Sequence, residues 1–232
     1  MVPELERTVA ELVRQVEHRY HGKCRGLVIE NRDPEQLGRL KVQVPSVLGD
    51  QVVSGWALPC VPYGGMTGQG LLAVPDVGAG VWVEFEEGDL EFPIWVGTFW
   101  SKPGGNTELP QANGPNGAET GVPNAPTRRI LKTSRGHTIQ IEDADGEDMI
   151  LIHEATNKHT VVLNADGIKI TDGTNKHTVV LDAHGIKITD GTGNYLEMTT
   201  KSFTVHSETA FTIDAAKQAV KIVAASIDLI QG

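Results

Sequence analysis

Apolar and polar residues alternate with a two-residue period over much of this chain, and the first twenty positions break that rule. In "PELERTVAELVRQVEHRY" (residues 3–20), Leu5, Val9, Leu12, Val13, Val16 and Tyr20 recur at steps of three and four, which predicts an amphipathic helix. Residues 21–100 hold five strand-like runs: "KCRGLVIEN", "GRLKVQVPS", "VVSGWALPCV", "AGVWVEFEE" and "PIWVGTFW". Leu40, Val42 and Val44 share one face of the second run; Val81, Val83 and Phe85 share one face of the fourth. Five short strands with no helix long enough for a crossover predict a small closed barrel, with the OB fold the obvious candidate. Residues 101–128, rich in Gly, Pro and Asn and without apolar period, read as a linker.

The remainder is repetitive. "TNKHTVVLNADGIKITDG" (residues 156–173) is followed at once by a copy (174–191) that differs only where Asn164 becomes Asp182 and Asp166 becomes His184. Within a copy Val161, Leu163 and Ala165 alternate with polar neighbours, a "DG" turn follows, and Ile168 and Ile170 resume the alternation. An earlier, drifted unit carries Ile139, Ile141, Ile150 and Ile152, and the rhythm continues through Phe203/Val205, Phe211/Ile213, Val220/Ile222 and Ile227/Leu229. The pattern predicts a long meander with one apolar face. Alone, such a ribbon would expose that face and its open edges. A single-chain solenoid would need longer rungs to close three faces by itself. Three copies about one axis shield both, each edge pairing with the next chain, and each buried Val or Ile then contributes about 1.5–3 kcal/mol. The expected class is all-β: an N-terminal helix (1–20), an OB barrel (21–100), the linker (101–128) and an intertwined trimeric triple-stranded β-helix (129–232).

Composition argues against a single compact globule, because 39% hydrophobic and 5% aromatic residues are thin for one core in 232 residues. The net charge of -10 disfavours nucleic acid and anionic membranes. Trp56, Tyr63, Trp82, Phe85 and Trp95 could stack on bases, yet residues 21–101 carry five Lys/Arg against ten Asp/Glu, the wrong field for a phosphate backbone. Protein docking is the better use of that surface. Cys24 and Cys60 lie in apolar runs and read as buried thiols, too few for a disulfide framework or a zinc site. "EDADGED" (142–148) lacks the acid that opens a calcium loop, since that position is Ile141. His159 and His177 would form two rings of three in a trimer, but beside "TNK" they read as solvated turn residues. Glu86, Glu87 and Asp89 end a barrel strand, and no nucleophile motif occurs, so no catalysis, cofactor or metal is expected. No apolar run is long enough to span a bilayer, and the charged N-terminus is unlike a signal peptide, so synthesis in the cytoplasm is expected.

Against this background, "GRLKVQVP" (38–45), Trp56 and "VPDVGAGVWVEFEEGDLEFPIWVG" (74–97) resemble the phage baseplate assembly protein V and VgrG group, the central spikes of contractile injection systems. Pro75, Gly78, Val81, Val83, Phe85, Gly88, Asp89, Pro93 and Gly97 carry that likeness, and "RRILKTSRGHTIQIEDADGEDMILIHE" (128–154) looks like the start of the same group's spike. The resemblance implies a homotrimer inside the baseplate of a phage tail-like particle, be it a phage tail, a type VI apparatus or an extracellular or membrane-anchored injector, that meets the membrane only mechanically. It implies a separate hub protein and inner tube, because only about 20 residues precede the barrel. Leu5, Leu12, Val16, Trp56 and Tyr63 are the expected docking residues there. Residues 101–128 leave no room for an inserted lysozyme domain. No His-x-His apex is present, so a PAAR-repeat tip protein is the implied cap, docking on Ile227, Leu229 and Ile230. The alternative function is a trimeric fibre module that binds a receptor or glycan, although no broad terminal head is visible after residue 200.

Overall fold

The computed structural model describes residues 4, 6–10, 13, 19–122 and 126–230. The chain divides into two compact units, Met1–Leu109 and Pro110–Gly232. In the first, residues 4, 6–10 and 13 are helical, as their spacing predicts, whereas residues 19 and 20, placed in the same helix by that spacing, are not helical. Leu5, Leu12 and Val16 lie outside the described residues.

Five strands then close a barrel in the order β1-β2-β3-β5-β4: β1 (Cys24–Glu30), β2 (Leu40–Gln43), β3 (Val53–Pro59), β4 (Gly80–Phe85) and β5 (Pro93–Thr98). Every pairing is antiparallel except β3 with β5. The alternating residues point where their period requires. Val28, Leu40, Val42, Val44, Ala57, Val81, Val83, Phe85 and Trp95 form the core. Two polar groups complete it. The Trp95 indole N–H donates to the Gly38 carbonyl at 3.1 Å, and the Ser54 hydroxyl accepts the Val42 N–H at 3.1 Å where the β2–β3 register slips. Cys24 is half-buried, but Cys60 is exposed, contrary to expectation. It stands just past the end of β3, where its N–H still bonds the Trp95 carbonyl while its side chain has left the barrel wall.

The second unit starts inside the segment read as a linker. That segment is not featureless: β6 (Ala112–Asn113) and β7 (Glu119–Gly121) form a hairpin, and both residues of β6 are buried. Beyond it, nine strands form one antiparallel sheet in sequence order: β8 (Arg128–Lys132), β9 (Thr138–Glu142), β10 (Met149–Glu154), β11 (His159–Asn164), β12 (Gly167–Thr171), β13 (Thr178–Asp182), β14 (Gly185–Thr189), β15 (Tyr195–Thr199) and β16 (Phe203–His206). Each strand pairs with its sequence neighbours, so the inner ladders are completed within one chain and only β8 and β16 are edges. The expected strand rhythm stops there. Residues 207–230 carry the alternating apolar letters, yet no strand is assigned among them. Phe211, Ile213, Val220, Ile222, Ile227 and Leu229 are exposed, and without a paired neighbour a five-residue strand lacks the ladder that defines it.

Candidate assembly face

The period of two sorts the residues of the long sheet onto two faces, and register keeps them there. Ile139 faces Ile152, which faces Val161; Ile141 faces Ile150, which faces Leu163. The twin repeats extend these rows, Val161–Ile170–Val179–Ile188 and Leu163–Ile168–Leu181–Ile186, and Leu196, Met198, Phe203 and Val205 finish them. One face is therefore apolar from β8 to β16.

That face is uncovered. Thirteen large apolar side chains on it are exposed, among them Leu131, Ile139, Ile152, Ile170, Ile188 and Phe203. Their continuity exceeds what a soluble monomer normally shows to water. Covering the remaining exposed area would contribute on the order of 10 kcal/mol per chain.

The opposite face is polar and, at its start, buried. The hairpin β6–β7 lies across it like a strap. Gln140, only 1% exposed, behaves as a stand-in for a backbone strand: its Oε1 accepts the Asn113 N–H at 2.8 Å and its Nε2 donates to the Asn113 carbonyl at 3.0 Å. Thr138 donates to the Asn113 side chain at 3.0 Å, and Lys132 pairs with Glu119. Gly117 presses on the His153 ring so closely that a Cβ would stand 2.5 Å from it. Leu151 is fully buried on this face, and Glu142 pairs with Arg128. A strand read from sequence as apolar-in and polar-out is thus reversed in β9: Thr138, Gln140 and Glu142 are covered while Ile139 and Ile141 are open. The tandem "NGPNG" (113–117), two Asn-Gly turn signals, was the clue to this hairpin in the sequence.

Turns along one side of the sheet are tied by carboxylates. The Asn157 and Thr156 N–H groups hold the Glu154 carboxyl below its ordinary value, and the Asn175 side chain and backbone do the same for Asp172. Asp190 is lowered to about 2 by the Asn194 side chain and then Thr192. On the opposite side of the sheet, the His184 N–H lowers Asp182 in the β13–β14 turn. Among the described residues, no group of three or more His, Cys, Asp or Glu is arranged to hold a metal ion.

Of the expected hub-docking residues, the described ones, Trp56 and Tyr63, do not share a surface groove. Trp56 lies half-buried on the outer barrel wall, with the Arg39 and Lys41 cations 5.6 and 5.0 Å from its ring centre. Tyr63 is exposed in a Gly-rich loop, its hydroxyl 3.3 Å from the Gln69 side chain, beside a groove lined by Leu37, Leu71, Leu72 and Trp95. Trp56 does not line that groove. Leu229 and Ile230 are 94% and 90% exposed, and Ile227 is exposed with them.

Known families match both units. Residues 24–100 match the Type VI secretion system/phage-baseplate injector OB domain, and residues 129–182 match the phage baseplate V C-terminal trimerisation domain. The second match covers β8 to β13, where the apolar face is continuous.

Proposed function

This chain belongs to the phage baseplate V family, and from that premise we propose that it is the central spike of a contractile injection machine. It assembles as a homotrimer through its trimerisation domain. In this reading the three apolar faces meet along a common axis and form an intertwined needle. The barrels and N-terminal helices anchor that needle to a separate hub and to the inner tube. Contraction of the surrounding sheath drives it through the target envelope, and a PAAR-repeat tip protein covers Ile227, Leu229 and Ile230.

The observation that carries the reading is the uncovered apolar ladder from Leu131 to Val205, lying largely within a segment matched to a trimerisation domain. The role requires stiffness in place of catalysis. Nine strands joined by continuous backbone ladders share an axial load, and a dry three-chain centre resists buckling. Sedimentation of the intact chain is expected to show three times 25.0 kDa. A well-behaved monomer would refute the needle. A pull-down against hub-like and PAAR-like neighbours, with peptidoglycan hydrolysis measured in parallel, tests the remainder: capture without hydrolysis is expected. Cleavage of peptidoglycan would overturn the mechanical role.

A further inference from the structure

Successive turns on one side of the long sheet are stapled together by a repeated side-chain bond. Each turn ends in a residue that accepts a backbone N–H from the start of the next turn on that side. The His137 Nδ1 accepts from Ala155 at 3.2 Å, the His159 Nδ1 from Gly173 at 3.2 Å, and the His177 Nδ1 from Gly191 at 3.1 Å. At the fourth turn the acceptor is an amide: the Asn194 Oδ1 takes the Glu208 N–H at 2.7 Å. The turns approach closely enough to need glycine at two donors. A Cβ on Gly173 would stand 2.3 Å from the Lys158 carbonyl oxygen, and one on Gly191 would stand 2.0 Å from that of Asn175.

An imidazole accepts at Nδ1 only while that nitrogen keeps its lone pair, so these three bonds require a neutral ring with the proton on Nε2. Protonation sets an N–H against an N–H and breaks the staple. The charged groups around the row decide where the ring then turns. Glu154 lies 3.6 Å from His137 and is the strand partner of His159, and Asp172 lies 3.2 Å from His159. The Asp172 N–H bonds the His177 carbonyl, and Asp190 occupies the following turn. Arg135, Lys158 and Lys176 belong to the row's own turns. Carboxylates thus wait beside the His137 and His159 rings, and there a protonated imidazole exchanges the turn amide for an acid. The titratable pair at the fourth turn is His206 Nε2 with the Glu208 carboxylate at 2.9 Å, but the acceptor itself, the Asn194 amide oxygen, takes no proton in this range and keeps its bond.

We propose that this row is an acid-sensitive device. Below the imidazole range the histidine staples release Ala155, Gly173 and Gly191, and the turn side of the sheet loosens, while the strand ladders and the Asn194 staple hold. The test is amide-resolved hydrogen–deuterium exchange on the 232-residue chain at pH 8 and pH 5, corrected for intrinsic exchange. Protection at Gly173 and Gly191 is expected to fall about tenfold on acidification, the size of one hydrogen bond, with Glu208 unchanged. Equal protection at both pH values, or a parallel fall at Glu208, overturns the proposal. His159→Asn, which installs the acceptor found at the fourth turn, is expected to abolish the pH dependence at Gly173 and leave Gly191 as in the parent. Because the Gly173-against-Glu208 comparison needs no variant, the proposal stays testable if that substitution fails to fold.

Discussion

The most heavily bonded carboxylate in the barrel unit is Asp33. Its oxygens accept the N–H groups of Glu35 at 3.0 Å and Leu37 at 2.8 Å, and the Arg39 guanidinium at 2.7 Å. The Arg39 hydrogen bond above all, followed by the backbone donors, holds its pKa well below the ordinary carboxylate range. A carboxyl lowered on folding stabilises at every pH above its unfolded value, near 4, and that contribution is lost as pH falls below it. Asp33→Asn is therefore expected to lower the melting temperature at pH 7, with the gap to the parent narrowing steadily as pH falls below about 4. A gap constant over that range would remove the charge from the argument. Gly167 is a different kind of constraint. It opens β12 at φ +128, and a Cβ there would stand 2.1 Å from the Leu181 carbonyl oxygen. Gly167→Ala is expected to cost at least about 1–3 kcal/mol, read as a lower unfolding midpoint. The equivalent Gly185, at φ +146, meets the Met198 carbonyl oxygen at 1.9 Å and is expected to behave alike.

Among elements, the twin repeat is the clearest unit of construction. Both copies place apolar residues on the same face with the same register, Val161↔Ile170 in one and Val179↔Ile188 in the other. "GIKITDG" precedes both Thr174 and Thr192, so deleting residues 174–191 joins β12 to the very turn that now follows β14. The deletion is expected to remove two strands, shorten the sheet by about 10 Å and preserve face parity. A soluble trimer of reduced length by small-angle scattering fits this, and insoluble product does not. The strap shows how an element escaped the period analysis. Its two short strands have too few apolar residues to register as alternation, and the backbone and side-chain amide of Asn113 dock on Gln140 and Thr138, more than twenty residues away.

At the scale of the molecule, the single chain is inside out over its second unit, and the proposed three-chain packing would correct it. Ile152 and Ile170 sit in one row of the apolar face, each nearly half exposed. Replacing both with Asp would bring charges into the proposed three-chain centre, where an unpaired carboxylate is costly. The variant is expected to sediment as monomer or aggregate, while residues 24–100 keep native barrel signals such as the environment of Trp95. A trimer of parental stability would place the interface elsewhere. The barrel should be indifferent because its nine-residue core closes within one chain.

Local order was legible in the sequence because it is written in periods. A two-residue alternation states which side chains share a face whatever the chain packs against, so the barrel core from Val28 to Trp95 and the apolar rows of the long sheet could be read directly. The helical spacing at the N-terminus is likewise borne out where residues 4, 6–10 and 13 are described. Only the tertiary structure decided what covers each face. Periodicity carries no information on whether a polar row meets water or a hairpin, which is why burial of Thr138, Gln140 and Glu142, exposure of Cys60 and the end of the sheet at His206 all lay beyond it. The histidine staples share that origin. Their partners are set by which turns the register stacks, a distance in space that no spacing along the chain expresses.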